Sequence, residues 1–529
     1  MLISTSLQTL IAIRQLKGPH TGENQAEIII QVIQEFHLHK HVGYFVTDNA
    51  SNNDTAIDIV VAYFFPNMPT KQRRARRLRC LGHVINLSAK AFLFGTEYDA
   101  FEKDIESTKE RSELLQELKL WRRRGPVGRL HNIITYICRS PQRREKFRTI
   151  KTITDEEGDF NSEFDHLSLK VDNATRWNSL YLMIERAIKL KDRIDLFCLY
   201  EADNMHGSSM KKAYTPEEKE RLLKHDKLEK EDWDALNDVM AILKKFYDLT
   251  KRGEGTSLTG DRGILSNYMT TLNDLLSHIR KARDDIEQRL KDPDQATESL
   301  KYLKACIVNC WTKLDSYFLI IDETPAHYAS VVTNPIMKWK YFEHTWRDAV
   351  TWKDATNPET WLITGREALN SIWKEYRDLP LDDDIPTSGS KRARSPDDYE
   401  RSCDMTLLYG DDEDLDELES WISSKVEKLS GSETLGQFWQ RLRKQKSTNR
   451  LARMALDMLS IPAMSSDCER VFSQAKLLIT GQRHSLKPDI IEATQCLRAW
   501  LITDKKKIGT WQGSGNWTVP HEISTGSWE

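Results

Sequence analysis

Apolar residues recur along this chain with two periods, and the change from one to the other divides it. Leu7 to Leu16 carries a short apolar run that reads as a strand. After the turn at Gly18-Pro19, Ala26, Ile29, Ile30, Ile33 and Phe36 keep helical spacing, with Thr21 as the candidate cap. Val42 to Asp48 is rich in β-branched and aromatic residues and predicts a buried strand that ends in a carboxylate. A further strand is predicted over His166 to Asp172, with a helix directly after it through ATRWNSLYLMIERAI. From about Ile184 to Asp378 the strand signal fades. Trp233, Leu236, Val239, Met240, Leu243, Phe246 and Tyr247 form one apolar stripe, and Leu265, Tyr268, Met269, Leu272, Leu275, Leu276 and Ile279 form another, so an all-helical region is expected.

The pattern lapses over residues 381–417, where Pro, Ser and charge dominate and the acidic run DDEDLDE closes the segment; this predicts a disordered charged linker. Within it Lys391 to Arg394 reads KRAR, a short signal of the nuclear-import type. Beyond it Leu451, Met454, Ala455 and Met458 make one helical face. Ile490, Ile491, Thr494, Leu497 and Leu501 make a second, on a helix that starts at Pro488 after Ser485. Past Lys507 a Gly/Ser-rich tail is expected to fray. The expected organisation is an α/β region over 1–183, an all-helical region over 184–380, the linker over 381–417, a helical C-terminal region over 418–503 and a flexible tail over 504–529.

Composition sharpens this picture at three points. The 529 residues carry a formal net charge of only -3 although 30% are charged, so opposite charges must be segregated to matter. They are: Lys71, Arg73, Arg74, Arg76, Arg77 and Arg79 crowd one short stretch, and more cations follow at Arg122 to Arg124 and Ser140 to Arg148. Such density points to nucleic-acid phosphate, which positions a protein on DNA without reading its sequence. No run approaches the roughly 18 apolar residues of a membrane span, and the start lacks a secretory pattern, so a soluble intracellular protein is expected, with no membrane partner and no small-molecule substrate. The eight cysteines are scattered without a disulfide rhythm and read as free thiols. Cys306 and Cys310, four apart, share a helix face and read as core thiols; Cys80 and His83 have zinc-type spacing but no second pair beside them.

Three segments go beyond ordinary patterning. VTDNASNNDTAI (from Val46), RCLGHVINL (from Arg79) and IPAMSSDCERVFSQAKLLITGQRHSLKPDIIEATQCLRAWL (from Ile461) resemble, in this order, the landmarks of hAT (hobo/Activator) superfamily DNA transposases; ATRWNS and ETPAHYASVVTNP are further matches between them. The resemblance spans almost the whole chain. It implies a partial RNase H-like core, interrupted by a large all-helical insertion and followed by the family's C-terminal dimerisation region. On this resemblance Asp48 matches the second catalytic acid and Glu469 the third, as ligands for Mg2+ or Mn2+. His83, Arg176 and Trp177, with the basic residues Arg73, Arg74, Arg76 and Arg77, become candidate DNA contacts. Leu451, Met454, Met458, Ile490, Leu497 and Leu501 become candidate dimerisation residues.

Phosphodiester cleavage with two divalent ions explains the need for acids: the ions stand roughly 3.5–4 Å apart, and carboxylate oxygens must bridge and anchor them. The family's first acid has no counterpart, because Asp48 is the first aspartate of this sequence and Glu23, Glu27 and Glu35 fall on a predicted helix. The family's N-terminal zinc finger has none either. The resemblance therefore implies a transposase-derived nuclear protein that dimerises and binds DNA with weak specificity, holds no metal productively and does not transpose. The alternative is an active transposase whose upstream coding sequence supplies the missing strand and acid; a third possibility is a decaying relic. Taken singly, Asp48 also reads as the Asx-turn residue that ends a strand, Glu469 as a helix-surface acid, and Trp177 as a core residue.

Overall fold

The structure is a computed structural model that describes residues 9–95, 98–110, 113–150, 168–171, 177–207, 225–254, 263–294, 296–347, 358–382, 416–479 and 486–508. Helix α1 (Gly22–Glu35) opens where Thr21 accepts a hydrogen bond from the backbone N–H of Asn24, the expected cap. It packs on α2 (Ser51–Phe64) through a small cluster of Ala26, Ile33, Ala56 and Val60. Strand β1 (Phe45–Thr47) precedes α2, and after the short α3 (Thr70–Arg74) strand β2 (Arg77–Arg79) returns parallel to β1, with Val46 opposite Leu78.

These two strands form the sheet of the described residues, which corrects two expectations. Residues 9–16 are not a strand. They lie against the last helix, where Trp500 Nε1 donates to the Leu10 carbonyl (2.8 Å), Ile13 N–H to Glu492 Oε1 (3.3 Å), and Arg14 bridges Glu492 and Glu35. Side chains of that helix meet backbone groups a ladder would otherwise satisfy. Nor do residues 168–171 form a strand; the rest of the expected His166–Asp172 strand lies outside the described residues. β2, conversely, was hidden in the basic run. Leu78 points into the core while Arg77 and Arg79 leave on the opposite face, the alternation of a strand.

Helical structure also begins a hundred residues earlier than position 184. α4 (Leu81–Phe94), α5 (Tyr98–Glu110), α6 (Leu114–Arg122), α7 (Gly125–Cys138) and α8 (Pro141–Thr149) follow β2 directly. After them come α9 (Trp177–Lys189), α10 (Lys191–Gly207), α11 (Lys230–Gly253), α12 (Ser266–Arg289) and α13 (Glu298–Leu319). α4 is apolar on nearly every face because it runs through the middle of this bundle, along α13 and against α11. The expected stripes on α11 and α12 are buried as the core of the bundle, and Cys306 and Cys310 lie inward on α13, where burial pushes the Cys306 thiol up to about 11.

α14 (Ala326–Val332), α15 (Lys340–Arg347), α16 (Pro358–Arg377), α17 (Glu417–Ser423), α18 (Leu435–Leu442) and α19 (Asn449–Ser460) extend the same core, which runs without a break from Leu78 to Met464. α20 (Ser466–Leu478) and α21 (Pro488–Ile508) complete the chain. Residues 383–415, with KRAR, and Ser485 lie outside the described residues, and α21 runs past the expected boundary at 503. The α19 face expected to mediate association is instead interior: Leu451, Met454 and Met458 are at most 1% exposed, covered by this chain's own helices. No helix of the described residues is long and apolar enough to cross a membrane.

Candidate functional site

β1 delivers Asp48 to the C-terminal end of the sheet. Its Oδ1 accepts from the Ala50 N–H (3.1 Å) and from Asn53 Nδ2 (2.6 Å), an Asx turn that starts α2. The candidate acid is therefore also a structural residue, with Oδ2 outside the turn. Arg77 braces this turn from β2: Nη2 donates to the carbonyls of Asp48 (2.7 Å) and Ala50 (3.1 Å), Nε to Thr47 Oγ1 (3.1 Å), and Nη1 pairs with Asp54. Burial, and next the charge of Arg79, lower the Arg77 guanidinium to about 10.

Most of the basic run is engaged in this way. Arg73 pairs with Asp58 (2.9 Å); Arg76 pairs with Glu375 (2.6 Å) and lies over the Tyr44 ring. Folding brings acids from α2 and α16 against Arg73, Arg76 and Arg77, at short range and partly out of water, so each also serves the fold. Lys71 and Arg74 remain exposed on α3.

Glu469 reaches the same region from the far end of the sequence. The segment before α20 is pinned by backbone bonds: Leu265 N–H to Ile461 O (3.0 Å), Ala463 N–H to Gly263 O (2.8 Å) and Leu81 N–H to Ala463 O (2.9 Å). Cys80 Sγ, at the N-terminus of α4, accepts from the Ser465 N–H (3.3 Å). Met464 packs against Gly82 and Gly253, where a Cβ would be crowded. α20 is thus anchored beside α4, and Glu469 stands exposed on its first turns.

His83, on the first turn of α4, lies within electrostatic reach of both acids. Burial lowers its pKa, while the charges of Asp48 and Glu469 pull it back up, so both carboxylates act on one imidazole. His83 and Glu469 also line a cavity of about 210 Å³ together with Asn86, Trp177, Asn178 and Ser466. Trp177 is only 3% exposed and meets Phe246 edge-on (6.3 Å), so the core alternative describes most of its surface. Arg176 lies outside the described residues. Sequence reasoning missed the Arg77 brace and the Cys80–Ser465 contact; the R-L-R alternation before Cys80 was the available signal for the first.

Three comparisons with known families bear on this arrangement. The hAT family C-terminal dimerisation region matches residues 417–501, the ZBED1 RNase-like helical domain matches 78–240, and the ZBED1 RNase-like domain matches 4–72. The chain thus carries a match to the hAT family's C-terminal dimerisation region and is similar to hAT transposases. Similar proteins include the putative transcriptional regulator tpeD of Talaromyces stipitatus, 23% identical over 92% of this chain and 49% of its own length. The putative AC transposase of Zea mays is 19% identical over 94% of this chain and 53% of its own length. The zinc finger BED domain-containing protein DAYSLEEPER of Arabidopsis thaliana is 22% identical over 63% and 41%. The chain spans about half the length of these curated relatives.

The paired Mg2+ or Mn2+ site that the resemblance implies can be tested on the ligands present. Asp48 and Glu469 are two acids, one with an oxygen already bonded twice, and among the described residues no group of three metal-binding side chains comes together. Two carboxylates do not by themselves fit a two-ion site.

Proposed function

We propose that this chain is a transposase-derived, nuclear protein that self-associates through α20 and α21 and binds DNA with weak sequence specificity, without cutting it. The observation that carries the reading is an apolar surface in the segment matching the dimerisation region. Phe472, Leu477, Ile490, Leu497 and Leu501 are each at least half exposed, and Trp500 is 39% exposed beside them. Large apolar side chains cost about 1.5–3 kcal/mol each when left in water, and contiguous exposed patches mark association surfaces. A second copy that covers this patch accounts for it, with Ile490, Leu497 and Leu501 in the interface.

Replacing Leu497 and Leu501 by Asp tests this by sedimentation: a dimer that becomes a monomer supports it, and an unchanged dimer refutes it. Support for DNA binding comes from the exposed cations Lys71 and Arg74 on α3, and from relatives named as a transposase and a transcriptional regulator. Each phosphate-binding cation removed should reduce the salt dependence of DNA affinity by about 0.9 in log–log slope, so Lys71→Ala with Arg74→Ala flattens it by nearly 2.

A second reading has one observation in its favour, that Asp48 and Glu469 both lie within electrostatic reach of His83. In that reading a longer chain supplies a third acid and the whole cleaves DNA with Mg2+ or Mn2+. A nicking assay separates the two: the 529-residue chain is expected to be blank, and nicking abolished by Glu469→Gln would favour the second.

A further inference from the structure

A second cavity, of about 460 Å³, lies between α2, β2 and the 3-10 turn Ile320–Glu323 that joins α13 to α14. Its volume falls in the range that encloses a small organic ligand. Asn49, next to Asp48 in sequence, bonds two of its lining residues: Nδ2 donates to the Tyr317 hydroxyl (2.9 Å), and Oδ1 accepts from Arg79 (3.3 Å).

Arg77 and Arg79 leave β2 on one face, since strand side chains alternate. The donors of Arg77 are held by Thr47, Asp48, Ala50 and Asp54, which makes it wall. Arg79 differs. Its five-donor fork makes the Asn49 bond and a loose 3.9 Å approach to Asp54, which leaves donors to spare. Arg74, exposed on α3, adds a second guanidinium to the lining. The Tyr317 oxygen already accepts from Asn49, so its proton is available to donate.

The apolar side of the cavity is aromatic. Tyr268 is 2% exposed and His327 4%; their rings lie 4.4 Å apart, and His327 Nδ1 is buried with no hydrogen-bond partner among the described residues. Buried ring nitrogens are ordinarily partnered, and one that lines a cavity without a partner marks a place for a ligand atom. Planar forks suit phosphate, aromatic walls suit a base, and the exposed Glu323 at the lining can accept from an amino group. The lining balances Arg74, Arg77 and Arg79 against Asp54, Asp58 and Glu323, so the spare donors of Arg79 and Arg74, not a net charge, favour a phosphate.

We propose that this cavity binds a nucleotide, with Arg74, Arg79 and the Tyr317 hydroxyl on its phosphate and with Tyr268 and His327 as the wall for its base. A free nucleotide and the terminal nucleotide of a DNA strand share that chemistry. The site does not rest on duplex DNA binding, because a mononucleotide offers no duplex.

Calorimetric titration of the full chain tests it with AMP, adenosine, inorganic phosphate and a 5′-phosphorylated oligonucleotide. AMP should saturate one site per chain, adenosine and phosphate alone should bind much more weakly, and Arg79→Met should weaken AMP by about tenfold or more. Tyr317→Phe should weaken it several-fold with only the small fall in melting temperature that the lost Asn49 bond brings, which covers the case in which Arg79→Met fails to fold. Oligonucleotide binding that depends on Arg79 and Tyr317 in the absence of AMP binding assigns the nucleotide to a DNA end. Failure of both ligands to bind, binding indifferent to both substitutions, or adenosine as tight as AMP overturns the proposal.

Discussion

Asp48 illustrates how one side chain serves local structure and candidate chemistry together. Its Oδ1 holds the turn that opens α2, so Asp48→Ala should cost about 1 kcal/mol in urea unfolding, whereas Asp48→Asn, which keeps the acceptor, should cost little. Glu469→Gln, on an exposed face, should leave stability unchanged. His327 gives a pH dependence. Burial holds its pKa at about 3, against about 6.5 in an unfolded chain. Between those values the unfolded state binds the extra proton and the native state does not, so stability falls as pH drops. The slope approaches about 1.4 kcal/mol per pH unit for this one residue. His83 and His278 shift the same way, also through burial. Unfolding midpoints at pH 7 and pH 5 should therefore converge in His327→Gln relative to the parent protein.

Elements are joined here by close approach and by single buried polar groups. Gly22 faces α2 so tightly that a Cβ would stand 2.6 Å from Thr55 Cβ and 2.7 Å from the Asn52 carbonyl. Gly22→Ala should push α1 off α2 and cost about 1–3 kcal/mol, measurable by thermal unfolding. Lys338, fully buried, ties α17 to the turn before α15: its Nζ donates to Ser424 Oγ (2.5 Å) and the Lys425 carbonyl (2.7 Å) and lies 3.7 Å from the centre of the Trp421 ring. Lys338→Met keeps the volume but leaves the Lys425 carbonyl without its donor, for a loss of about 1–3 kcal/mol.

At the scale of the molecule, stability is divided unevenly. The core from Leu78 to Met464 is one body, while α1 and α2 meet over a separate cluster of four buried residues. Hydrogen exchange should show α4, α11, α12 and α13 opening together at the highest free energy, with α1 exchanging at a lower one. Equal protection of α1 and α4 would show that the small cluster is not an independent unit.

Periodicity and motif fixed a good part of this in advance. The cap at Thr21, the strand that ends at Asp48, the apolar stripes of α11 and α12 and the start of α21 at Pro488 follow from local rules, because caps, turns and amphipathic faces are properties of neighbouring residues. The sequence order of its landmarks was enough for the resemblance to hAT transposases, and the C-terminal match agrees with it. What it left undecided depended on partners distant in the chain. Arg73, Arg76 and Arg77 look like a phosphate surface until Asp58, Glu375 and Asp54 arrive beside them. Leu451, Met454 and Met458 look as available as Leu497 and Leu501, and only packing decides which face is covered. Asp48 and Glu469, more than four hundred positions apart, both come within electrostatic reach of His83 because backbone bonds to α4 and to Gly263–Leu265 anchor the start of α20. Charge pairing and burial act through space, so the fold decided them.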